Sequence, residues 1–439
     1  MSNSDQNRDG GVSPRLSMTF GFEVEMLVAS AGTLPAICGK QPPWDDPHPG
    51  DGRWCAIDNS RGSAQYTTEE AVAEMLLKAG IENTWIEDSL ATHRPSGASQ
   101  ASRMMLPKVD MKYHNWRVMP ESSLSVEEWI ATDPVLGRYS WSSAEIASAV
   151  FNVWARSPDV WIAPRQAQAK QIADVCRTLA TNLRIRLSTS CGLHIHLGLG
   201  GNSIPGDTVR RFVSVMWLIE DAVLSLCASW RADNTWAQPI TKASLLASGS
   251  DEGRALRRST ENIPVDLYAL RMFFGDSVWN TLTRVQKQHL QLIWSLPLSG
   301  NNNNNLVEAI TTTTWSSRGT VAVRGAILGR DSSQHSNVAN TIEIRYASAT
   351  LVARELLSWT NLFIRLFQLC NWYHETNAVR LSTLVHGVLS AHGSGRHAGH
   401  ELLRQIGLGD DVGLWEAAGK RWAREDDHDQ VRMNPFVDG

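Results

Sequence analysis

Three short segments each place two ligand-type side chains two residues apart. GFEVEMLV carries Glu23 and Glu25, GLHIHLG carries His194 and His196, and NTIEIRYA carries Glu343 and Arg345. In extended backbone, residues i and i+2 share a face. Each segment would therefore show carboxylate, imidazole or guanidinium on one side. Phe22, Val24 and Met26, then Leu193, Ile195 and Leu197, then Ile342, Ile344 and Tyr346 would lie behind. Carboxylates with imidazoles bind divalent metals: oxygen-rich ligation suits Mg²⁺ or Mn²⁺, and two histidines with a carboxylate suit Zn²⁺ or Fe²⁺. An arginine fork complements phosphate. Metal and arginine on one surface suit phosphoryl transfer, where catalysis is mostly positioning and charge neutralisation. A solvated antiparallel sheet would also alternate, but its outer positions would carry Lys, Thr, Gln and Ser. Three segments with ligand-type groups favour one sheet with a polar concave face, backed by helices.

Three further carboxylates are candidates. Glu121, in MPESSL, is either a turn or N-cap residue or a member of the site. Glu145, in AEIASAVF, is either a surface carboxylate or a member, on a segment that reads equally as strand or helix. Glu220 sits on a helix inside the apolar ridge Val213, Met216, Val223 and Cys227. A carboxylate buried there needs a metal, an arginine or hydrogen-bond donors, so a structural role and a functional one stand level.

The elements that must position these groups follow from periodicity. Strands are expected at 17–29, 116–124, 184–200 and 341–347. Helices are expected at 68–80, after an N-cap Thr, at 164–182, with Pro in its first turn, at 205–230 and at 351–374. The last shows an apolar stripe of Val352, Leu356, Trp359, Phe363, Leu366, Cys370 and Tyr373. Residues 231–300 mix loops with short helices. Residues 1–16 read as a disordered N-terminus, 31–66 as a Pro/Gly-rich loop and 299–305 as a polar Asn-run loop. The expectation is one α+β catalytic domain over 17–385, then a C-terminal helix and charged tail over 386–439.

Composition narrows the function classes. The 439 residues are 42% hydrophobic and 20% charged, with net charge −4 and no basic cluster, so neither nucleic acid nor a membrane is an expected partner. Six cysteines without a CxxC pair suit free thiols better than disulfides or a zinc scaffold. The N-terminus lacks the apolar core of a signal peptide and no stretch approaches ~18 apolar residues, so the expected location is the cytoplasm.

In this order the segments resemble the amidoligase family, carboxylate–amine ligases of the glutamine synthetase and glutamate–cysteine ligase superfamily. GFEVEM is similar to that family's G-x-E-x-E, WRVMPESSL to W-x-V-x-x-D-x-S-L, and AEIASAVF to E-[IL]-x-S-P-x-[LF]. CGLHIHLG is similar to C-G-x-H-[VI]-H-x-G, and TIEIRYASATL to E-[FI]-R-x-x-x-x-T. The resemblance, over about 17–375, implies a curved, mostly antiparallel half-barrel sheet with helices packed outside and ATP with Mg²⁺ on the concave face. It implies Glu23, Glu25, Glu145, His194 and Glu343 as metal ligands, His196 and Glu220 toward nucleotide or metal, and Arg345 on the transferred phosphoryl group. The Glu220 helix followed by WRADN points to Arg231 as a further catalytic group. Glu121 stands where the family has Asp, and would meet the incoming amine or a metal. Ala149 stands where the family often has Pro. The implied reaction joins a small-molecule or peptide carboxylate to an amine through an acyl phosphate. Two other readings stay open: a zinc-dependent hydrolase using the histidines, and a catalytically weak nucleotide-binding relative with a regulatory role.

Overall fold

The first strand-like segment forms β1, Leu16–Ala31, a single strand of 16 residues. The computed structural model describes residues 16–31, 68–81, 84–86, 115–124, 126, 139–155, 160–200, 202–234, 237–260, 265, 267–298, 305–311, 319–323, 340–371 and 375–425. The other strands are β2 (Thr84–Ile86), β3 (Trp116–Pro120), β4 (Tyr139–Ala147), β5 (Phe151–Ala155), β6 (Ile185–Arg186), β7 (Gly192–Gly198), β8 (Val321–Ala322) and β9 (Thr341–Ser348). They form one sheet in the order β2-β3-β4-β1-β7-β9-β8, with β5 and β6 also paired to β1. Every pairing is antiparallel except β2 with β3. The sheet is open and curved with helices around it, the α+β class expected.

β1 is long enough to serve four partners. Its first half pairs with β5 and its second with β4 along one side, while β7 and β6 share the other. Its alternation decides the two faces of the sheet. Met18, Phe20, Phe22, Val24, Met26 and Val28 are each at most 3% exposed. Phe22 meets Trp116 of β3 edge-on, with centroids 5.6 Å apart. Helices cover this apolar side: Thr68–Lys78 packs on β3, Gly206–Leu224 on β9 and Ala353–Asn371 on β7. In the last of these, the stripe from Leu356 through Trp359, Phe363 and Leu366 to Cys370 is buried, each side chain contributing roughly 1.5–3 kcal/mol.

Several boundaries differ from expectation, each for a local reason. AEIASAVF is strand, and it breaks at 148–150 between β4 and β5. Ser148 bridges the break: its hydroxyl accepts the Phe22 N–H (2.9 Å) and donates to the Ala149 carbonyl (2.8 Å). The 184–200 stretch divides into β6 and β7 around a turn at Thr189–Ser190. The 205–230 helix stops at Leu224 and is followed by a 3₁₀ turn, Ser229–Asp233. After residue 371 three helices stand where one was expected: Glu375–Gly393, Ala398–Gln405 and Val412–Glu425. Gly395 (φ 72°) and Gly407 (φ 74°) follow the first two in the left-handed conformation that ends helices. Residues 1–15, 32–66, 299–304 and 426–439, with the expectations placed on them, lie outside the described residues. Asn305 ends the Asn run as N-cap of the Leu306–Ile310 helix, its side chain accepting from the Glu308 N–H. No described helix is long and apolar enough to cross a membrane.

Candidate active site

Strand register brings the ligand-type groups onto adjacent rungs of one face. Glu25 of β1 stands opposite Glu145 of β4, Glu23 opposite His194 of β7, and His196 opposite Glu343 of β9. His194 is the centre. Its Nδ1 lies 3.3 Å from Glu23 Oε2 and 3.7 Å from Glu343 Oε1, and its Nε2 lies 3.3 Å from Glu25 Oε1. His196 Nε2 approaches Glu23 Oε2 at 3.2 Å, and its Nδ1 lies 3.2 Å from the Thr341 hydroxyl. Arg345 pairs with Glu343 and places Nη1 3.4 Å from His194 Nε2. Glu121, just past β3, accepts the Ser123 N–H at 2.6 Å and hydrogen-bonds Glu145.

The electrostatics are those of an acid-rich pocket with too few cations. Burial alone would raise Glu23, but the His196 and His194 rings overcome it and hold that carboxyl well below its usual range. Glu343 is also buried, and Arg345 with both histidines brings it down. Glu145 goes the other way: burial first, then Glu23, Glu121 and Glu25, push it well above the usual range. Burial likewise lifts Glu25, against the pull of His194 and the Gly192 N–H. Burial works against charge on His196, yet Glu23 and Glu343 raise it. The crowded carboxylates are thus split, with Glu23 and Glu343 lowered by the neighbouring cations and Glu25 and Glu145 raised by burial and by neighbouring carboxylates.

A divalent cation fits this donor set. Oxygen or nitrogen atoms of Glu23, His194 and Glu343, and of Glu25, Glu145 and His194, lie within 4.8 Å of one another in two groups that share one imidazole. Carboxylate-rich sets of this kind suit hard cations such as Mg²⁺ or Mn²⁺. Beside them the Nε of Arg345 is buried without a hydrogen-bond partner among the described residues, a donor suited to an anionic oxygen.

Two expected site residues lie elsewhere. Glu220 is 1% exposed, and its carboxylate is occupied by protein donors. Oε1 accepts from the Ile240 N–H (2.9 Å), Thr320 hydroxyl (2.7 Å) and Tyr346 hydroxyl (2.7 Å), and Oε2 accepts from the Thr241 N–H (2.7 Å). Arg231 is 2% exposed. Its Nε donates to the Tyr346 carbonyl (3.1 Å) and its Nη2 to the Arg345 carbonyl (2.7 Å). Hydrogen-bond donors, not metal or arginine, answer the need of the carboxylate in the helix ridge.

The structure adds residues whose role the sequence reading did not assign. Gly192 donates its N–H to Glu25 Oε2 at 2.6 Å, and a Cβ there would meet His194 Nε2 at 3.0 Å and Glu25 Oε2 at 3.1 Å. The glycine of CGLHIHLG was the signal, since a side chain there would press on both ligand-type groups. Arg117 pairs with Ala147, two residues along β3 from the Met119–Glu145 rung, and so shares the polar face.

Comparison with known proteins bears on the same residues. A family model described as "putative amidoligase enzyme" matches residues 16–284, which hold β1 to β7 and all of the site except β9. No curated protein matches, and no solved structure does. The match spans more than half of the 439 residues and includes Glu23, Glu25, Glu121, Glu145, His194 and His196, so the chain belongs to the amidoligase family.

Proposed function

We propose that the chain is an ATP- and Mg²⁺-dependent carboxylate–amine ligase that forms an amide or isopeptide bond through an acyl phosphate. The observation that carries this reading is the crowding of Glu23, Glu25, Glu121, Glu145 and Glu343 around His194 and His196, with Arg345 alongside. Glu23, His194 and Glu343 would hold one cation, and Glu25 and Glu145 a second. Bound cations supply charge neutralisation at the phosphoryl oxygens.

The chain's own residues do the rest. Arg345 presents its unpaired Nε to the oxygens of the phosphoryl group in flight, while Glu343 orients the guanidinium. A substrate carboxylate takes the γ-phosphoryl group of ATP and ADP departs. An amine then attacks the acyl carbon and phosphate leaves. Glu121, half-buried and held below the usual carboxylate range by Ser123 against the effect of burial, is ionised at neutral pH and accepts the amine's proton. The expected partners are a small-molecule or peptide carboxylate and an amine.

Calorimetric titration of ATP, with and without Mg²⁺, into the wild type and the Glu23→Gln variant tests this reading. Mg²⁺-dependent binding that the variant loses supports it. Zn²⁺-dependent hydrolysis without nucleotide would replace it with a hydrolase, and tight ATP binding without phosphate release under any amine would replace it with a regulatory protein.

A further inference from the structure

Behind the polar face, β9 departs from regular pairing. Ile344 stands opposite Ile195 and Ala347 opposite Leu193, so Arg345 and Tyr346 together face the single residue His194. That is a β-bulge, and it falls on the arginine of the site. A bulge interrupts the ladder, and buried backbone carbonyls at such a break need donors from elsewhere. Here one side chain supplies them: Arg231 donates Nη2 to the Arg345 carbonyl and Nε to the Tyr346 carbonyl. Cys227 Sγ, one turn earlier, adds a weak bond to the same Tyr346 carbonyl at 3.4 Å.

Glu220 grips the neighbouring points. It accepts from the Tyr346 hydroxyl and from the Thr320 hydroxyl, and the Thr320 carbonyl in turn accepts the Arg345 N–H at 2.9 Å. The ring of Tyr346 stacks on Phe363, with centroids 5.9 Å apart. The backbone carbonyls, hydroxyl and ring of the Arg345–Tyr346 pair are thus held from the helix layer, and most of that hold comes from the helix Gly206–Leu224 and the turn after it.

We infer that Arg231 and Glu220 are positioning residues for Arg345, with Arg231 fixing the bulge that aims the guanidinium and Glu220 fixing the strand that carries it. Neither touches nucleotide or metal. Their effect on chemistry passes through Arg345 alone. This rests on the ligase reading for its functional consequence, though the clamp itself is a property of the chain without ligand.

The test combines two measurements on the full chain. Hydrogen exchange across residues 341–348 reads the clamp directly in the wild type, in Arg231→Lys and in Tyr346→Phe. Arg231→Lys keeps the charge but loses the fork, and Tyr346→Phe removes only one hydroxyl, so one informative variant survives if the other fails to fold. Both should speed exchange in that segment while leaving β4 unchanged. Mg²⁺–ATP titration then reads the consequence: Arg231→Lys should weaken binding about tenfold in the wild type and have little effect in an Arg345→Lys background. Unchanged exchange in β9 would overturn the clamp. A tenfold loss that persists in the Arg345→Lys background would overturn action through Arg345 and make Arg231 a direct ligand contact. If the wild type binds no Mg²⁺–ATP, the ligase reading falls, and the exchange data still decide the clamp.

Discussion

Two clusters of charged residues, one on the sheet and one behind it, are treated in opposite ways. On the polar face, Glu23, Glu25, Glu145 and Glu343 crowd around two imidazoles and one guanidinium, and the crowding raises Glu145 and His196 above their usual ranges. In the helix layer, a single carboxylate, Glu220, meets four protein donors, and a single guanidinium, Arg231, meets two carbonyls. Both regions use Glu and Arg, though Glu23 and Glu343 are only partly buried where Glu220 and Arg231 are almost fully so. What differs is whether the protein completes the valence of each group. Where it does, removing the group leaves orphaned partners. Where it does not, removing the group takes away a ligand site, and at Glu145 it relieves repulsion as well.

That contrast can be broken most sharply by activity. Glu23→Gln or Glu343→Gln should lower turnover about a thousandfold; a variant with wild-type turnover would end the assignment of that residue. Next comes stability. Glu220→Ala orphans Tyr346, Thr320 and two backbone N–H groups and should cost about 3 kcal/mol or more, read by denaturant unfolding. Glu145→Gln should instead make the metal-free protein more stable by roughly 1 kcal/mol, as relief of strain at a functional site often does. Equal losses from the two substitutions would erase the distinction between the regions.

A smaller effect lies in pH. Glu145 is raised from 4.5 and His196 from 6.5 in the fold. The stabilisation from each is full below its unfolded value and is lost as pH rises through the folded one. Glu23 and Glu343 are lowered from 4.5, so their stabilisation is present above that value and lost in acid. Stability should therefore fall in acid as Glu23 and Glu343 take up protons and fall on the alkaline side as Glu145 and His196 lose them, and Glu145→Gln should flatten that alkaline decline. A scan of melting temperature against pH in chelator decides it. Smallest is Gly192→Ala, whose methyl group would press on His194 and Glu25. It should shift stability by a few tenths of a kcal/mol but weaken cation affinity several-fold, about 1 kcal/mol, measured by Mn²⁺ titration.

Much of the polar face was legible because a strand writes its faces into sequence with period two. Glu23 with Glu25, His194 with His196 and Glu343 with Arg345 each announce a shared side, and order along the chain then suggests one sheet. Glu145 was legible as a residue but not as part of a strand, since AEIASAVF contains the Ser148 break, and a hydroxyl that bridges two backbones leaves no periodic trace. Glu220 was legible as buried, from its place in the ridge, but the donors that satisfy it are two N–H groups, Thr320 and Tyr346, distant in sequence and mostly without a pattern of their own. Arg231 was found by resemblance and its bonds were not foreseeable, because a bulge depends on how β7 and β9 meet. The two helices after residue 393 were missed although Gly395 and Gly407 mark the ends before them.

The length of β1 carries a consequence for how the chain is made. The strand at the middle of the sheet precedes every other described strand in the sequence, and Glu23 waits for a partner 171 residues later at His194. At ribosomal rates of ~5–20 residues per second, that is about ten to thirty seconds during which a strand with Met18, Phe20, Phe22, Val24, Met26 and Val28 on one face lacks β7, and for most of that time β4 and β5 as well. The edge meant for β7 must stay clear of other chains until that strand arrives, and the site gains its last wall only with β9. Chaperone dependence during synthesis, and aggregation of fragments that end before residue 198, are the expected marks of a fold whose central strand comes first.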